Sequence, residues 1–184
     1  MVPPPSVVVG PPWGEALGEV GFEFPADYRQ FVDTYGAGSF EPMEYVGLEV
    51  VAPHVDALGP ASHPRFAGFL AHHVNGVRPL FAGDEGGEAM WHDGPQPLYP
   101  EPGGLLAWGH THESDQFFRR TQDANPDRWT VVGGSRHDGS TFVFDGGMVE
   151  FLLALFTGRV DYFGEWDAPG LTWEMQHDWL HRSE

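Results

Sequence analysis

The residues best placed for chemistry are Gly109-His110-Thr111-His112, at the end of an apolar run. In a strand, positions i and i+2 face the same side, so both imidazoles could reach one metal ion. A metal-dependent hydrolase centred on His110 and His112 is therefore one reading. Such a dinuclear site needs ligands upstream, and the chain offers no D-x-H, GD-x-x-D or GNH before His110. Gly83-Asp84 begins like one of these, but Gly87 stands where the second aspartate belongs. Two histidines at a strand-to-turn junction, beside Glu113 and Asp115, are the simpler expectation, with no catalytic residue and no bound metal. His72 and His73 are adjacent and diverge by about 100° on a helix. His177 and His181 share a face if the C-terminus is helical. No serine lies in G-x-S-x-G. The Gly83–Gly87 turn lacks the spacing of a phosphate loop, and its acids would repel phosphate.

The elements that position these residues follow from periodicity. Trp13, Leu17 and Val20 are at helical spacing. Pro25 and Gly36 bracket a second helix, in which Tyr28, Phe31, Val32 and Tyr35 form one apolar face. Arg65–Val74 reads as a third. Strands are expected at Ser39-Phe40, Tyr45–Val51, Pro79–Ala82, Glu88–His92, Leu105–His110, Gln116–Arg120, Arg128–Gly133 and Thr141–Phe144, with Gly, Asn, Pro and Asp between many of them. Met148, Phe151, Leu152, Leu155 and Phe156 then line a closing helix that ends at Gly158. The run of strands from Arg78 onward reads as an antiparallel meander. Trp91, Trp108 and Trp129 fall in strands and read as core or half-buried sheet residues.

The chain has 184 residues, enough for one domain with a sizeable core. Cysteine and lysine are absent, which excludes disulfides, thiolate zinc sites, a Walker lysine and Schiff-base chemistry. Nine basic residues face 27 acidic ones, for a formal net charge of −18. Such a field repels nucleic acid and anionic membrane and attracts basic proteins. Acids also serve solubility alone. The N-terminal residues lack the basic and apolar blocks of a signal peptide, and no run approaches a membrane span. A cytoplasmic location is expected.

Phe24-Pro25-Ala26-Asp27-Tyr28, with Phe31 and Tyr35-Gly36-Ala37-Gly38, resembles the opening of the SUKH (Smi/Knr-like) superfamily. Phe81-Ala82-Gly83-Asp84-Glu85-Gly86-Gly87 is similar to that family's "FA-x-D-x-x-G" turn. Leu105-Leu106-Ala107-Trp108-Gly109, Asp115, Phe118 and Pro126-Asp127-Arg128-Trp129-Thr130-Val131 resemble its "LLPWG…D…W…PD-x-W-x-V" core, and Phe151-Leu152-Leu153 with Gly158 its closing helix. Phe24 replaces a leucine and Phe118 a tryptophan of that pattern. The resemblance spans residues 13 to 163. It leaves a Pro-rich segment, 1–12, and an acidic, Trp-rich extension, 164–184, expected as a docked short helix. It implies an α+β fold, one antiparallel or mixed sheet of about six strands with helices packed on it, serving as a non-catalytic binding module without cofactor. Many bacterial members are immunity proteins that neutralise a toxin domain, often a nuclease.

Acids flanking an aromatic at strand ends would suit a basic protein partner. On that ground the partner-binding candidates are Asp84, Glu85, Glu88, Trp91, Asp93, Glu113 and Asp115. Ordinary solvated turns are the alternative for each of them. A regulatory or scaffold module that binds a cellular protein is a further reading.

Overall fold

A computed structural model describes residues 2–41, 47–53, 65–82, 91, 96–160 and 170–177. Its helices are α1 (Ala16–Val20), α2 (Ala26–Tyr35), α3 (Phe66–Ala82) and α4 (Met148–Phe156). Its strands are β1 (Ala37–Glu41), β2 (Leu48–Val50), β3 (Leu105–Thr111), β4 (Gln116–Arg120), β5 (Val131–Gly134), β6 (Thr141–Phe144) and β7 (Thr172–His177). They form one antiparallel sheet in the order β6-β5-β4-β3-β2-β1-β7. The α+β expectation holds, with seven strands in place of about six. Among the described residues no helix is long and apolar enough to cross a membrane.

Helix α2 forms where its apolar period predicts. Pro25 precedes its first turn, Gly36 closes it at φ 76°, and Tyr28, Phe31 and Val32 are buried. The Tyr28 hydroxyl donates to the Val51 carbonyl at 2.6 Å, and burial pushes the phenol pKa far above its ordinary value. With α4, α2 covers one face of the sheet. Phe40, Leu48, Val50, Leu106, Trp108, Phe117 and Val131 meet Met148, Phe151, Leu152 and Leu155 there in one apolar cluster.

A half-buried ion pair ties this layer together. Both oxygens of Asp27 accept from Nη2 of Arg119 at 2.6 Å, and Nη1 of Arg119 donates to the Trp129 carbonyl at 3.0 Å. Asp27 also accepts from the Tyr28 N–H at 2.8 Å and the Val149 N–H at 3.2 Å, so one carboxylate serves the first turns of two helices. Gly147 precedes α4 because a Cβ there would overlap that carboxylate. Burial lowers the Arg119 pKa, and Asp27 raises it back.

The opposite face divides in two. Over β3, β4 and β5, Leu105, Ala107, Phe118 and Val132 pack with Val74 and Val77 of α3, Leu98 and Trp91. Trp91 sits on Gly134, where a Cβ would overlap the indole, and meets Phe118 edge-on at 5.5 Å. The remainder of this face, toward β7, is polar.

Three expectations need correction. Pro79–Ala82 is not a strand. The apolar spacing Phe66, Phe69, Leu70, Val74, Val77 carries α3 through Pro79, whose missing N–H costs one hydrogen bond near the helix end. The start of the expected strand Arg128–Gly133 is a 3₁₀ turn, Pro126–Arg128, capped by the Asn125 side chain. The C-terminal extension is not a helix over Thr172–His177. Trp173 alternates with exposed Thr172 and Glu174, a period of two, and the segment pairs with β1. His177 therefore ends a strand, and His181 lies outside the described residues. Apart from Trp91, the expected strand Glu88–His92 is largely outside the described residues, as are Tyr45 and Val46 of Tyr45–Val51.

Candidate functional site

Side chains of directly paired residues share a sheet face. The register therefore defines one row across five strands: Glu174 opposite Ser39, Ser39 opposite Glu49, Glu49 opposite His110, and His110 opposite Gln116. Thr172 and Glu41 begin a second row beside it. The neighbours of Glu49 on β2, Leu48 and Val50, are fully buried on the other face.

His110 reaches this face because of a bulge. Leu106 and Trp108 point into the core, so unbroken alternation would send His110 there as well. The β3–β4 register shifts between Ala107 and Gly109, inserting one residue and reversing the parity beyond it. Gly109 suits the site because a Cβ would stand 2.6 Å from the Glu49 carbonyl oxygen. The bulge thus places an imidazole beside Glu49 and leaves Thr111 buried on the core side.

The two histidines each lie near a carboxylate of another strand, His110 near β2 and His112 near β1. Nε2 of His110 lies 3.6 Å from Glu49, and Nε2 of His112 lies 3.7 Å from Glu41. Gly47 leaves room for the second pair, since a Cβ would stand 2.6 Å from the His112 ring. Burial lowers the His110 pKa below its ordinary value; Glu49 opposes that shift and His112 adds to it. Ser39 is buried beneath the row, and Nε2 of Gln176 donates to its hydroxyl at 3.4 Å.

This arrangement is a band of carboxylates with imidazoles between them. Among the described residues no three His, Asp or Glu side chains gather in a group that could hold a metal ion. Two surface hollows lie elsewhere. One, of about 380 Å³, runs between α1, α3 and Tyr99; the other, of about 400 Å³, is apolar and lies between α2 and α4.

The partner-binding candidates separate. Glu113 is exposed, with its carboxylate 2.9 Å from Nε2 of His137. Trp91 is a correction: it is 2% exposed and belongs to the core, where its ring can release its full area from water. Asp115 is a second correction. It is also 2% exposed, and its oxygens accept from the Thr111 hydroxyl at 3.0 Å and the Arg136 N–H at 2.8 Å. It closes the β3–β4 turn, where Ser114 holds φ 74°. Asp84, Glu85, Glu88 and Asp93 lie outside the described residues.

Sequence reasoning missed Glu41, Glu49 and Glu174 as members of one face. Leu48-Glu49-Val50 carries the signal for Glu49, an acid between two apolar residues. Its alignment with His110 depends on the bulge. The chain matches no protein-family model, no curated protein and no solved structure.

Proposed function

We propose that the chain is a non-catalytic binding module: a bacterial, cytoplasmic immunity protein of the SUKH type that neutralises a basic toxin domain, such as a nuclease, by stoichiometric binding. The observation that carries this reading is the polar band on one sheet face. Glu41, Glu49 and Glu174 stand on neighbouring strands there, in a chain of net charge −18. A nuclease presents cationic side chains to phosphate, and a fixed band of carboxylates is complementary to such a surface. The rigid sheet holds the acids in place, so little side-chain ordering is required on binding. Burial disfavours the charged form of His110, which therefore does not cancel the acids beside it. The motif order shared with the SUKH pattern, ending in α4, agrees with the same reading.

Binding then has two parts. The net charge steers a cationic partner and acts on the association rate, within a Debye length of about 8 Å at physiological salt. Desolvated contacts at the sheet face set the dissociation rate. Co-expression tests the reading. A toxin gene with a basic nuclease domain beside this one should be tolerated by cells only when this chain is present, and the two products should co-purify at one to one. Protection by this chain without a complex would refute binding. A complex with an acidic or non-toxic cellular protein would favour the scaffold reading.

A further inference from the structure

We propose that the outer edge of β7 receives an extended, cationic segment of the partner as an additional strand, with an arginine or lysine opposite Glu174. This rests on the reading of the chain as a binder of a basic protein, and it names the surface and the mode.

The argument starts from the sheet order. β7 is the last strand, paired on its inner side with β1 from Ala37–His177 to Glu41–Thr172. Among the described residues nothing pairs with its outer side. Such an edge presents backbone N–H and C=O groups in a row and is a template for one more strand. The template is fixed in place. Trp173 packs edge-on against Phe40 at 4.7 Å, and its Nε1 donates to the Tyr35 carbonyl at 2.9 Å.

Charge decides the occupant. Glu174 is exposed and belongs to the row that continues through Ser39 and Glu49. An added strand extends that row, and the residue opposite Glu174 meets an acid at cross-strand distance. A second copy of this chain, paired antiparallel about Glu174, would bring two glutamates together. It would also bring together two bodies of net charge −18. A segment alternating cationic and β-branched residues satisfies both the backbone and the acid.

The test uses the full chain and three peptides, followed by NMR of the backbone amides. The first peptide alternates arginine with threonine and valine. The second is the same peptide N-methylated at the amides of one edge, and the third has glutamate in place of arginine. The expected result is slowed amide exchange across 172–176 with the first peptide, and affinity at least tenfold below it for the other two. Glu174→Lys should weaken the arginine peptide about tenfold and improve the glutamate peptide. Equal binding of the N-methylated peptide would overturn strand addition and leave the basic-partner reading standing. So would a cationic toxin domain that binds without perturbing β7. Failure of every arginine peptide and of cationic toxin domains would remove both. A dimer in sedimentation lost on Glu174→Lys would make a second copy the occupant and overturn the proposal.

Discussion

Replacing Asp27 with alanine should be among the most damaging single changes in the protein. The Arg119 side chain is 3% exposed, and its guanidinium bonds to both oxygens of Asp27. Removing one partner of a buried pair costs about 3–5 kcal/mol, because the other charge remains buried. Asp27 is itself 29% exposed, so water can partly replace it, and the lower end of that range applies. Its bonds to the Tyr28 and Val149 amides are also lost, at about 1 kcal/mol for a helix cap. The sum is about 4 kcal/mol, a large share of a typical domain's stability. Arg119→Met in the Asp27→Ala background removes the stranded charge and should recover about 1–3 kcal/mol. Urea unfolding of the two single variants and the double variant measures this, with an unchanged slope expected. A loss under about 1 kcal/mol for Asp27→Ala, or a double variant no more stable than that single one, would refute the account of this contact.

Other perturbations test separate parts of the structure. The His110 pKa is lowered mainly by burial, so folding favours the neutral ring. Its contribution is then present above its unfolded value of about 6.5 and is lost as pH falls from there through the folded value. Thermal melts at pH 7.5 and pH 5 should show that loss, and His110→Gln should reduce it; an identical pH response in the variant would contradict the burial of this ring. Gly134→Ala places a methyl group in the Trp91 indole and should cost about 1–3 kcal/mol in denaturant unfolding. Trp129→Ala or Leu152→Ala, at 5% and 3% exposure, should each cost about 2–5 kcal/mol. Parent-like melting of both would mean that neither side chain is in the core.

Much of the fold is legible in the sequence where one local signal acts alone. Pro25 and Gly36 frame α2, and the apolar stripe of Met148 to Phe156 gives α4. Asp27 and Trp129 stand out locally in the sequence, but their meeting through Arg119 is a long-range event that no window contains. The third helix reads as ending at Val74, yet buried Val77 keeps the same apolar face and α3 runs on through Pro79. The acids and tryptophans of the C-terminal extension concealed a plain alternation across Thr172, Trp173 and Glu174. The polar face was the least legible feature. Its existence needs the register of five strands, and its histidine needs a bulge at Gly109 that reverses the side of every later residue in β3. In the sequence Trp91 and Asp115 read as partner-facing, an aromatic and an acid at strand ends. Burial overrode both, because Gly134 offers the indole a seat and Thr111 offers the carboxylate a donor.

The central claim is that this chain acts by charge-steered, stoichiometric binding of a basic protein. Stopped-flow association with a basic toxin domain against which co-expression shows protection, as a function of salt, tests that claim most directly. The account predicts a one-to-one complex whose association slows at least tenfold between low and physiological salt while dissociation changes little. It also predicts that replacing Glu41, Glu49 and Glu174 with glutamine removes part of that slowing. Association indifferent to salt, or a rate unaffected by the triple replacement, would contradict it.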